Sequence, residues 1–333
     1  MCNMIPTILM LLASFWAAAS KTMTVEEFKA LPIPEHVNHM SEEEYVEYIN
    51  KIQPFYKAEV PKMSREQFKS RLMDVKKFRC ARKVPRCRSI ALIRDQANSG
   101  SCWAVSAASV MSDRVCIQTY MNETTKQTML SDTDILACCG KLCGFGCNGG
   151  YMQKAWTYGV NNGTCSGGPY LAKDCCKPYA FHPCGQHKGQ PYYAECEKQN
   201  ENTPTCRARC QFQYKQAYAK DKIKVSLAYY VYGLSVPIRM QEELMERGPF
   251  QVGFTVYDDF RYYKSGVYFH KYGSEAGGHA VKVIGWGVEN GLKYWLVSNS
   301  WNSDWGENGL FKILRGENEC GIEEYGMAGK MSV

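Results

Sequence analysis

One short stretch of the chain, Gln96-Ala97-Asn98-Ser99-Gly100-Ser101-Cys102-Trp103-Ala104, combines the start of a helix with a thiol. Small and apolar residues continue from Cys102 to about Thr119, which predicts a helix that begins near Ser101. A thiol at a helix N-terminus lies at the positive end of the helix dipole, and this position favours the nucleophilic thiolate. Cys102 is therefore a candidate nucleophile, and Gln96 is a candidate oxyanion donor beside the Cys102 backbone N–H.

Two later stretches supply the groups that such a nucleophile needs. Gly277-Gly278-His279-Ala280 places a histidine after two glycines at the start of a predicted strand, where its ring can be directed into a cleft. Ser298-Asn299-Ser300-Trp301 follows another predicted strand; Asn299 can hold an imidazole by a hydrogen bond, and Trp301 can shield that bond from water. Each residue alone is a weak signal, since a lone cysteine in such a protein is more often half of a disulfide. Cysteine, histidine and asparagine together indicate thiol catalysis.

Length and composition limit the class of protein. The 333 residues are 45% hydrophobic and 22% charged, which excludes a disordered chain, a collagen-like chain and a multi-span membrane protein. The net charge of +7 is spread along the chain, and its densest run, residues 76–83, is better explained as a solvated processing junction than as a nucleic-acid patch. The 17 cysteines indicate a disulfide framework.

The N-terminus predicts the compartment. A short apolar run from Met4 to Ala19 ends in small residues, which is the pattern of a cleaved signal peptide, assigned to residues 1–19. The alternative is a buried N-terminal helix. No later stretch of the sequence reaches the ~18 apolar residues that a membrane-spanning helix needs. We therefore expect a secreted or lysosomal protein, in which disulfides persist and the sequons at Asn122 and Asn162 carry glycans.

Residues 20–73 have the character of a pro-segment. They lack cysteine and contain the capping-box patterns Thr24…Glu27, Ser41…Glu44 and Ser64…Gln67. Each pattern predicts a short helix that is too short to be stable alone, so the segment needs another surface to fold against. The alternative is an N-terminal lobe of the mature fold.

The remaining chain divides at about residue 221. Residues 74–220 are rich in cysteine and turns, and their one clear helix is the one that begins near Ser101. Residues 221–333 are mostly predicted strand, with Asn290-Gly291 as a tight hairpin turn. A helical, disulfide-linked half therefore precedes a β half, and a cleft between two unlike lobes is a plausible place for chemistry.

The motifs quoted above, together with Cys138-Cys139-Gly140…Cys143…Cys147-Asn148-Gly149-Gly150-Tyr151 and Tyr294-Trp295-Leu296-Val297, resemble those of the papain-like cysteine proteases, and among them the cathepsin B type. The likeness extends from about Phe78 to the C-terminus. It implies an α+β, two-lobed fold with a helical left lobe, a β-barrel-like right lobe and a peptide-binding cleft between them. It implies catalysis without a metal or organic cofactor. The implied roles are Cys102 as nucleophile, His279 as general base and acid, Asn299 as orienting residue and Gln96 as oxyanion donor.

The resemblance also implies what binds in the cleft. Proteins and peptides are the expected substrates, cystatin-type proteins the expected inhibitors, and residues 20–73 an inhibitory propeptide that precedes a mature domain of residues 74–333. Family members often carry an acid at the floor of the S2 pocket; Tyr325 stands there in this chain, which predicts a preference for Phe, Leu or Val at P2. The residues expected to contact substrate are Gly149, Gly150, Tyr151, Met152, Gly253, Gly278, Ala280, Trp301, Tyr325 and His187.

An occluding loop is expected at residues 184–196. In the cathepsin B type this loop covers the primed end of the cleft, makes the enzyme a dipeptidyl carboxypeptidase and uses two adjacent histidines to receive the substrate carboxylate. This chain has Gln186 and His187 at those positions. The acidic halves of the two ion pairs that latch the loop are Asp95 and Asp304, but their basic halves are not evident. We expect a looser loop and an endopeptidase with residual dipeptidyl carboxypeptidase activity.

The same resemblance implies a set of disulfides. The cysteine that usually precedes the nucleophile by three residues is Ser99 here, which leaves Cys147 without its expected partner. Cys165 and Cys175 are candidates to pair with each other. A zinc site in the 138–147 cluster is disfavoured by the adjacent cysteines and the oxidising compartment. The implied pairs are Cys87–Cys116, Cys138–Cys206, Cys139–Cys143, Cys176–Cys210 and Cys184–Cys196.

The sequence thus predicts a secreted or lysosomal cysteine endopeptidase. Residues 294–307 are similar to a pattern in gut proteases of blood-feeding worms, which suggests the digestion of host or dietary protein such as haemoglobin. Two alternatives stay open: a catalytically silent homologue that acts as a secreted binding protein, and a disulfide-rich structural module. Labelling of Cys102 by a thiol inhibitor separates them from an enzyme.

Overall fold

The computed structural model describes residues 24–31, 34, 37, 39–60, 87–120, 128–197, 199–232, 236–324 and 326–333. The chain divides into two compact units, Met1–Ser41 and Glu42–Val333. No helix in these described ranges is both long and apolar enough to cross a bilayer. The features that lie outside them are the predicted signal peptide, the pattern at Ser64, Cys80, the sequon at Asn122, and Tyr325.

The first unit contains one described helix, α1 (Val25–Ala30). Its N-terminus is the predicted capping box: the Glu27 N–H donates to the Thr24 hydroxyl at 3.1 Å, and the Thr24 N–H donates to the Glu27 carboxylate at 2.8 Å. Two backbone donors that a helix N-terminus leaves without partners are thereby satisfied. This prediction is confirmed.

The second unit has most of its helices before most of its strands, as the sequence predicted. The helices are α2 (Glu42–Ile52), α3 (Arg88–Ala91), α4 (Cys102–Tyr120), α5 (Asp132–Cys138), α6 (Met152–Asn161), α7 (Tyr218–Asp221) and α8 (Val236–Glu246). The strands are β1 (Tyr56–Ala58), β2 (Val225–Val231), β3 (Phe250–Tyr257), β4 (Tyr263–Tyr268), β5 (Glu275–Glu289), β6 (Leu292–Ser298), β7 (Leu310–Leu314) and β8 (Gly326–Met331).

Helix α4 is the buried centre of this unit. Small residues such as Ala104, Ala107 and Ala108 are completely buried and allow α5, α6, β5 and β8 to pack closely around it. One buried side chain fixes its first turn: the Gln251 amide on β3 donates to the Trp103 carbonyl and to the Ser106 hydroxyl, both at 2.8 Å. The position of Cys102 is therefore set by contacts with the sheet as well as by the helix itself.

The sheet is mixed and open. Its strand order is β1-β4-β7-β6-β5-β3-β8-β2, and only β4 and β7 run parallel among its described pairs. The β5–β6 hairpin has both Asn290 and Gly291 in the left-handed region, at φ 50° and 82°, as a type I′ turn requires. The hairpin prediction is confirmed. The expected barrel-like right lobe is not closed, because β1 and β2 form the two outer edges of the order and do not pair with each other among the described strands.

Candidate active site

Cys102 is the first residue of α4 and has no solvent-exposed surface. The backbone N–H of Ala280, the residue that follows His279 on β5, acts on this sulfur and lowers the pKa of the thiol. This contact joins the first turn of α4 to the strand that carries the histidine. The structure therefore brings together two predicted site regions that are far apart in the sequence.

His279 lies within β5, opposite Phe254 of β3, rather than at the start of the strand as the sequence predicted. The strand begins earlier because Gly277 and Gly278 also pair with β3. The ring of His279 is held on two sides. Its Nε2 lies 2.8 Å from the Asn299 Oδ1, and the Trp301 ring stacks on it with centroids 4.8 Å apart.

Gln96 connects the loop before α4 to the loop after β6. Its backbone N–H donates to the Ser300 carbonyl at 2.9 Å, and the Ser300 hydroxyl donates to the Gln96 Oε1 at 2.7 Å. The Gln96 Nε2 donates to the Ser99 carbonyl at 2.7 Å, which occupies one of its two N–H groups. This network holds the side-chain amide beside the N-terminus of α4.

Comparisons with known proteins agree with this arrangement. The papain family cysteine protease model matches residues 77–330. Cathepsin B-like cysteine proteinase 4 of Caenorhabditis elegans is 44% identical over 308 residues, which cover 85% of this chain and 90% of that protein. Cathepsin B-like cysteine proteinase 2 of Haemonchus contortus is 48% identical over 231 residues, which cover 69% of this chain and 66% of that protein.

This chain belongs to the papain family of cysteine proteases. A solved structure, procathepsin B S9 from Trypanosoma congolense, is 34% identical, covers 87% of this chain and 98% of its own, and superimposes with a TM-score of 0.69. Digestive procathepsin L 3 of Tenebrio molitor, at 20% identity and a TM-score of 0.60, shares the fold. The chain is a cysteine peptidase of the cathepsin B-like type with a papain-like fold.

Two opposing influences set the pKa of the Cys102 thiol in this cathepsin B-like chain. Burial raises the pKa of Cys102 from 9.0 to about 12, although the backbone N–H groups of Ala280, Trp103 and Cys102 act to lower it. Removal from water disfavours the charged form more than the helix N-terminus favours it. Burial and the N-terminus of α4 therefore act in opposite directions on the pKa of this thiol.

The residues predicted to contact substrate are only partly brought together. Gly253 and Ala280 are cross-strand neighbours on β3 and β5. Gly150 packs on the Trp103 ring so closely that a Cβ there would come within 2.6 Å of it, which explains a glycine at this point. Three of the other predicted residues are buried: Met152, Gly278 and Trp301. Tyr151 is exposed at the start of α6. Gly149 has a φ of 112°, which lies in the left-handed region.

The occluding loop has a latch that the sequence did not reveal. The His187 Nδ1 lies 3.0 Å from an Asp304 oxygen, and its Nε2 lies 3.7 Å from an Asp95 oxygen. The loop is also tied down by Gln190, whose amide donates to Asn302 at 3.0 Å. One imidazole therefore lies beside both acids that the sequence predicted for the latch, and the looser loop stays a prediction. The available signal in the sequence was that His187 is the one histidine between Cys184 and Cys196.

The cysteines also separate into bridges and free thiols. The structure forms every implied pair: Cys87–Cys116, Cys138–Cys206, Cys139–Cys143, Cys176–Cys210 and Cys184–Cys196. The suggested Cys165–Cys175 bridge is wrong, since both are buried free thiols, and Cys147 is a third. The Ser99 side chain faces Cys147 and acts to lower its pKa, but burial outweighs this and raises it.

One group of side chains in the described residues has the spacing of a metal site. The ligand atoms of Cys165, Cys176 and Asp221 lie within 4.8 Å of one another. Cys176 is bonded to Cys210, and a disulfide sulfur is not the thiolate that a metal needs. Asp221 already accepts from the Ser166 backbone and hydroxyl at 2.6 and 2.7 Å. The group therefore serves as a polar brace between loops.

Proposed function

We propose that this chain is the zymogen of a secreted or lysosomal cysteine endopeptidase that degrades dietary or host protein such as haemoglobin. The observation that supports it most is the contact of the Cys102 sulfur with the residue next to His279, whose ring is held by Asn299. A cleft containing these three residues supports acyl transfer to a thiol. The relatives named above share the type of peptidase but do not define the substrate.

The proposed mechanism follows from which nitrogen of the His279 ring is hydrogen-bonded to Asn299. The His279 Nε2–H donates to the Asn299 Oδ1, so Nδ1 is the atom that takes the proton of the Cys102 thiol. The sulfur then attacks the scissile carbonyl, and the oxyanion is bound by the Cys102 backbone N–H and the second N–H of Gln96. His279 returns the proton to the leaving amine. Water hydrolyses the thioester and frees the sulfur.

We predict a hydrophobic P2 specificity for the mature enzyme. The cleft residues Gly253 and Ala280 carry no charge, and Tyr325 stands where an acid would pair with arginine. Peptides with Phe or Leu at P2 should therefore be cleaved with a kcat/KM at least about tenfold above that of matched peptides with Arg. A P2-varied library on amidated peptides measures this, and a preference for Arg contradicts the proposed pocket.

The loop latch gives a second prediction. His187→Ala removes the contacts with Asp304 and Asp95, so the loop should open. Cleavage of internal bonds in amidated peptides should rise roughly tenfold, because a hydrogen bond to a charged partner is worth about that factor. Dipeptide release from peptides with a free C-terminus should fall. Lys188→Ala, at an exposed neighbouring position, is the control, and equal behaviour of the two variants would refute the latch.

The proposed pro-segment has a described docking contact within the second unit. Strand β1 pairs antiparallel with β4, and Tyr56 packs against Tyr263, Tyr268 and Phe269. Gly266 permits this approach: a Cβ there would lie 2.5 Å from the Phe55 carbonyl. Helix α2 adds the ion pair of Glu42 with Arg261 at 2.6 Å. These contacts support a segment that is held on the peptidase as an inhibitor.

Removal of the buried tyrosine should release this segment. Tyr56→Ala deletes an aromatic side chain that is 3% exposed, and such deletions cost about 3–5 kcal/mol. The full-length variant should therefore lose its N-terminal segment at least about tenfold faster at acidic pH. Lys57→Ala on the exposed face of β1 is the matched control. Gel electrophoresis measures the half-time for loss of the N-terminal segment. Identical half-times for both variants would show that β1 does not restrain activation.

A further inference from the structure

A small cavity lies behind the proposed catalytic asparagine. Its volume is about 10 Å³, and it lies between the loop before α4, the first half of α4, the middle of β5 and the end of β6. These segments meet because Asp95 forms a β-bridge with Trp301. The residues that matter here are Arg94, Ser109, Lys282 and Asn299, all of which line the cavity.

Two of the lining residues each have a buried donor without a hydrogen-bond partner among the described protein atoms: the Asn299 Nδ2 and the Arg94 Nε. The residues are only 2% and 8% exposed. The other polar atoms of both side chains are satisfied. The Arg94 terminal nitrogens donate to Asp132 at 2.8 Å and to Ser112 at 3.0 Å, and the Asn299 Oδ1 accepts from His279 and from the Ser300 N–H. A buried donor left without an acceptor has lost its hydrogen bond to water and gained none in return, which destabilises the folded state.

We propose that the cavity binds one ordered water molecule that accepts from both Asn299 and Arg94, and that Arg94 is thereby a positioning residue for the catalytic His279–Asn299 pair. The cavity has the size that one water needs, and the lining serines offer acceptors for the water's own hydrogens. This inference rests on the proposed function, since the orientation of Asn299 matters only if His279 moves the proton of a thiol.

The charges on the cavity wall favour water over an anion. Arg94 is paired with Asp132 at 2.8 Å, and Lys282 is paired with Asp113 at 2.8 Å. Both cations are therefore balanced by buried carboxylates, and no surplus positive charge remains to compensate a buried halide. A neutral molecule that accepts two hydrogen bonds fits the site.

The water would act on the amide of Asn299. With an acceptor for its Nδ2, the amide is held in the orientation that turns Oδ1 toward the His279 Nε2. Without that acceptor, rotation of the amide would place a donor against the ring and favour the wrong tautomer. Arg94 fixes the water from the other side, so it influences the catalytic ring without touching the substrate.

A crystal structure of the mature enzyme tests the water directly, and its result does not depend on activity. A single peak within about 3.2 Å of both the Asn299 Nδ2 and the Arg94 Nε is expected. A bromide peak at this point after a bromide soak, or no peak at all, would overturn the proposal. Failure of thiol labelling at Cys102 would instead overturn the proposed function and leave the water peak unaffected.

Matched variants test the consequence. Ser109→Val adds methyl groups that fill the cavity, whereas Ser109→Ala leaves room for the water. The valine variant should have a kcat roughly tenfold or more below that of the alanine variant, with KM values within about twofold. Equal kcat values would refute the inference.

A comparison of variants at Arg94 and at its ion-pair partner Asp132 tests the role of Arg94. Arg94→Lys keeps a cation beside Asp132 but removes Nε, and should lower kcat roughly tenfold. Asp132→Asn weakens the same ion pair and keeps Nε, so it should lower the melting temperature and spare kcat. A loss of kcat that follows the loss of thermal stability equally in both variants would show that Arg94 has a structural role only. If Arg94→Lys fails to fold, the Ser109 pair and the crystal structure decide.

Discussion

Replacing Cys102 by Ala is expected to lower kcat/KM at least about 10⁴-fold, because it removes the only atom that forms the covalent intermediate in the proposed mechanism. The fold should survive, since alanine is a strong helix former and the site is braced independently by Gln251 and Gln96. The measurement is steady-state hydrolysis of a fluorogenic peptide with Phe at P2, after the N-terminal segment has been removed by a second protease. Circular dichroism checks that the variant is folded.

A second buried thiol provides the control for this variant. Cys147 is completely buried, and its carbonyl accepts from the Gly100 N–H at 2.7 Å, so it lies close to the same loop. Cys147→Ala should keep kcat/KM within a few-fold of the parent, because its thiol has no role in the mechanism. Comparable losses in the two variants would mean that loop packing, and not the Cys102 sulfur, explains the effect.

The largest stability effect is expected at a buried ion pair far from the chemistry. Glu243 on α8 accepts from Arg114 on α4 at 2.8 Å and from the Tyr229 hydroxyl at 2.6 Å. Both charged side chains are almost fully buried. Glu243→Gln leaves the Arg114 guanidinium buried without its counter-charge, so the free energy of unfolding should fall by about 3–5 kcal/mol. Urea unfolding of the inactive Cys102→Ala chain measures this without self-digestion.

The buried pair of Glu243 and Arg114 makes the stability of the fold decrease as the pH falls. Burial acts to raise the pKa of Glu243, but Arg114 and the hydrogen bonds from Tyr229 and Arg247 outweigh it and lower the pKa below 4.5. A carboxylate with a depressed pKa stabilises the fold above its unfolded pKa, and this contribution is lost as the pH falls through the folded value. The parent chain should therefore lose stability below about pH 4.5, and Glu243→Gln should lack that part of the loss. Glu242→Gln, in an exposed pair on the same helix, should change stability by less than about 0.5 kcal/mol.

Local patterns predicted what depends on neighbours in the sequence. Helix α4 and the Asn290-Gly291 hairpin were predicted because their composition or turn residues act over a few positions. The helices α5 and α6 were missed because they are only 7 and 10 residues long, so each offers little periodic pattern. Ser131 caps α5 by accepting from the Asp134 N–H at 3.0 Å. The residues proposed to be catalytic were visible in the sequence because each lies in its own local context.

Contacts between distant segments could not be predicted in the same way. His187 and Asp304 are 117 positions apart, and only the folded loop shows that one ring faces both Asp304 and Asp95. The orphaned donors of Arg94 and Asn299 likewise become visible only when the cavity between their segments exists. The effect of burial on the pKa of Cys102 could not be predicted either, because the helix N-terminus is a local feature, whereas burial depends on the whole fold.

The central claim is that the Cys102 thiol is the nucleophile of this peptidase and that the N-terminal segment keeps it from reacting until the segment is removed. Mass spectrometry of the chain after reaction with an epoxide-type thiol inhibitor at about pH 6, before and after that removal, tests it most directly. The account predicts little adduct before removal and one adduct per chain afterwards, on Cys102, with complete loss of peptide hydrolysis. An adduct on another cysteine, or full hydrolysis by chains labelled at Cys102, would contradict it.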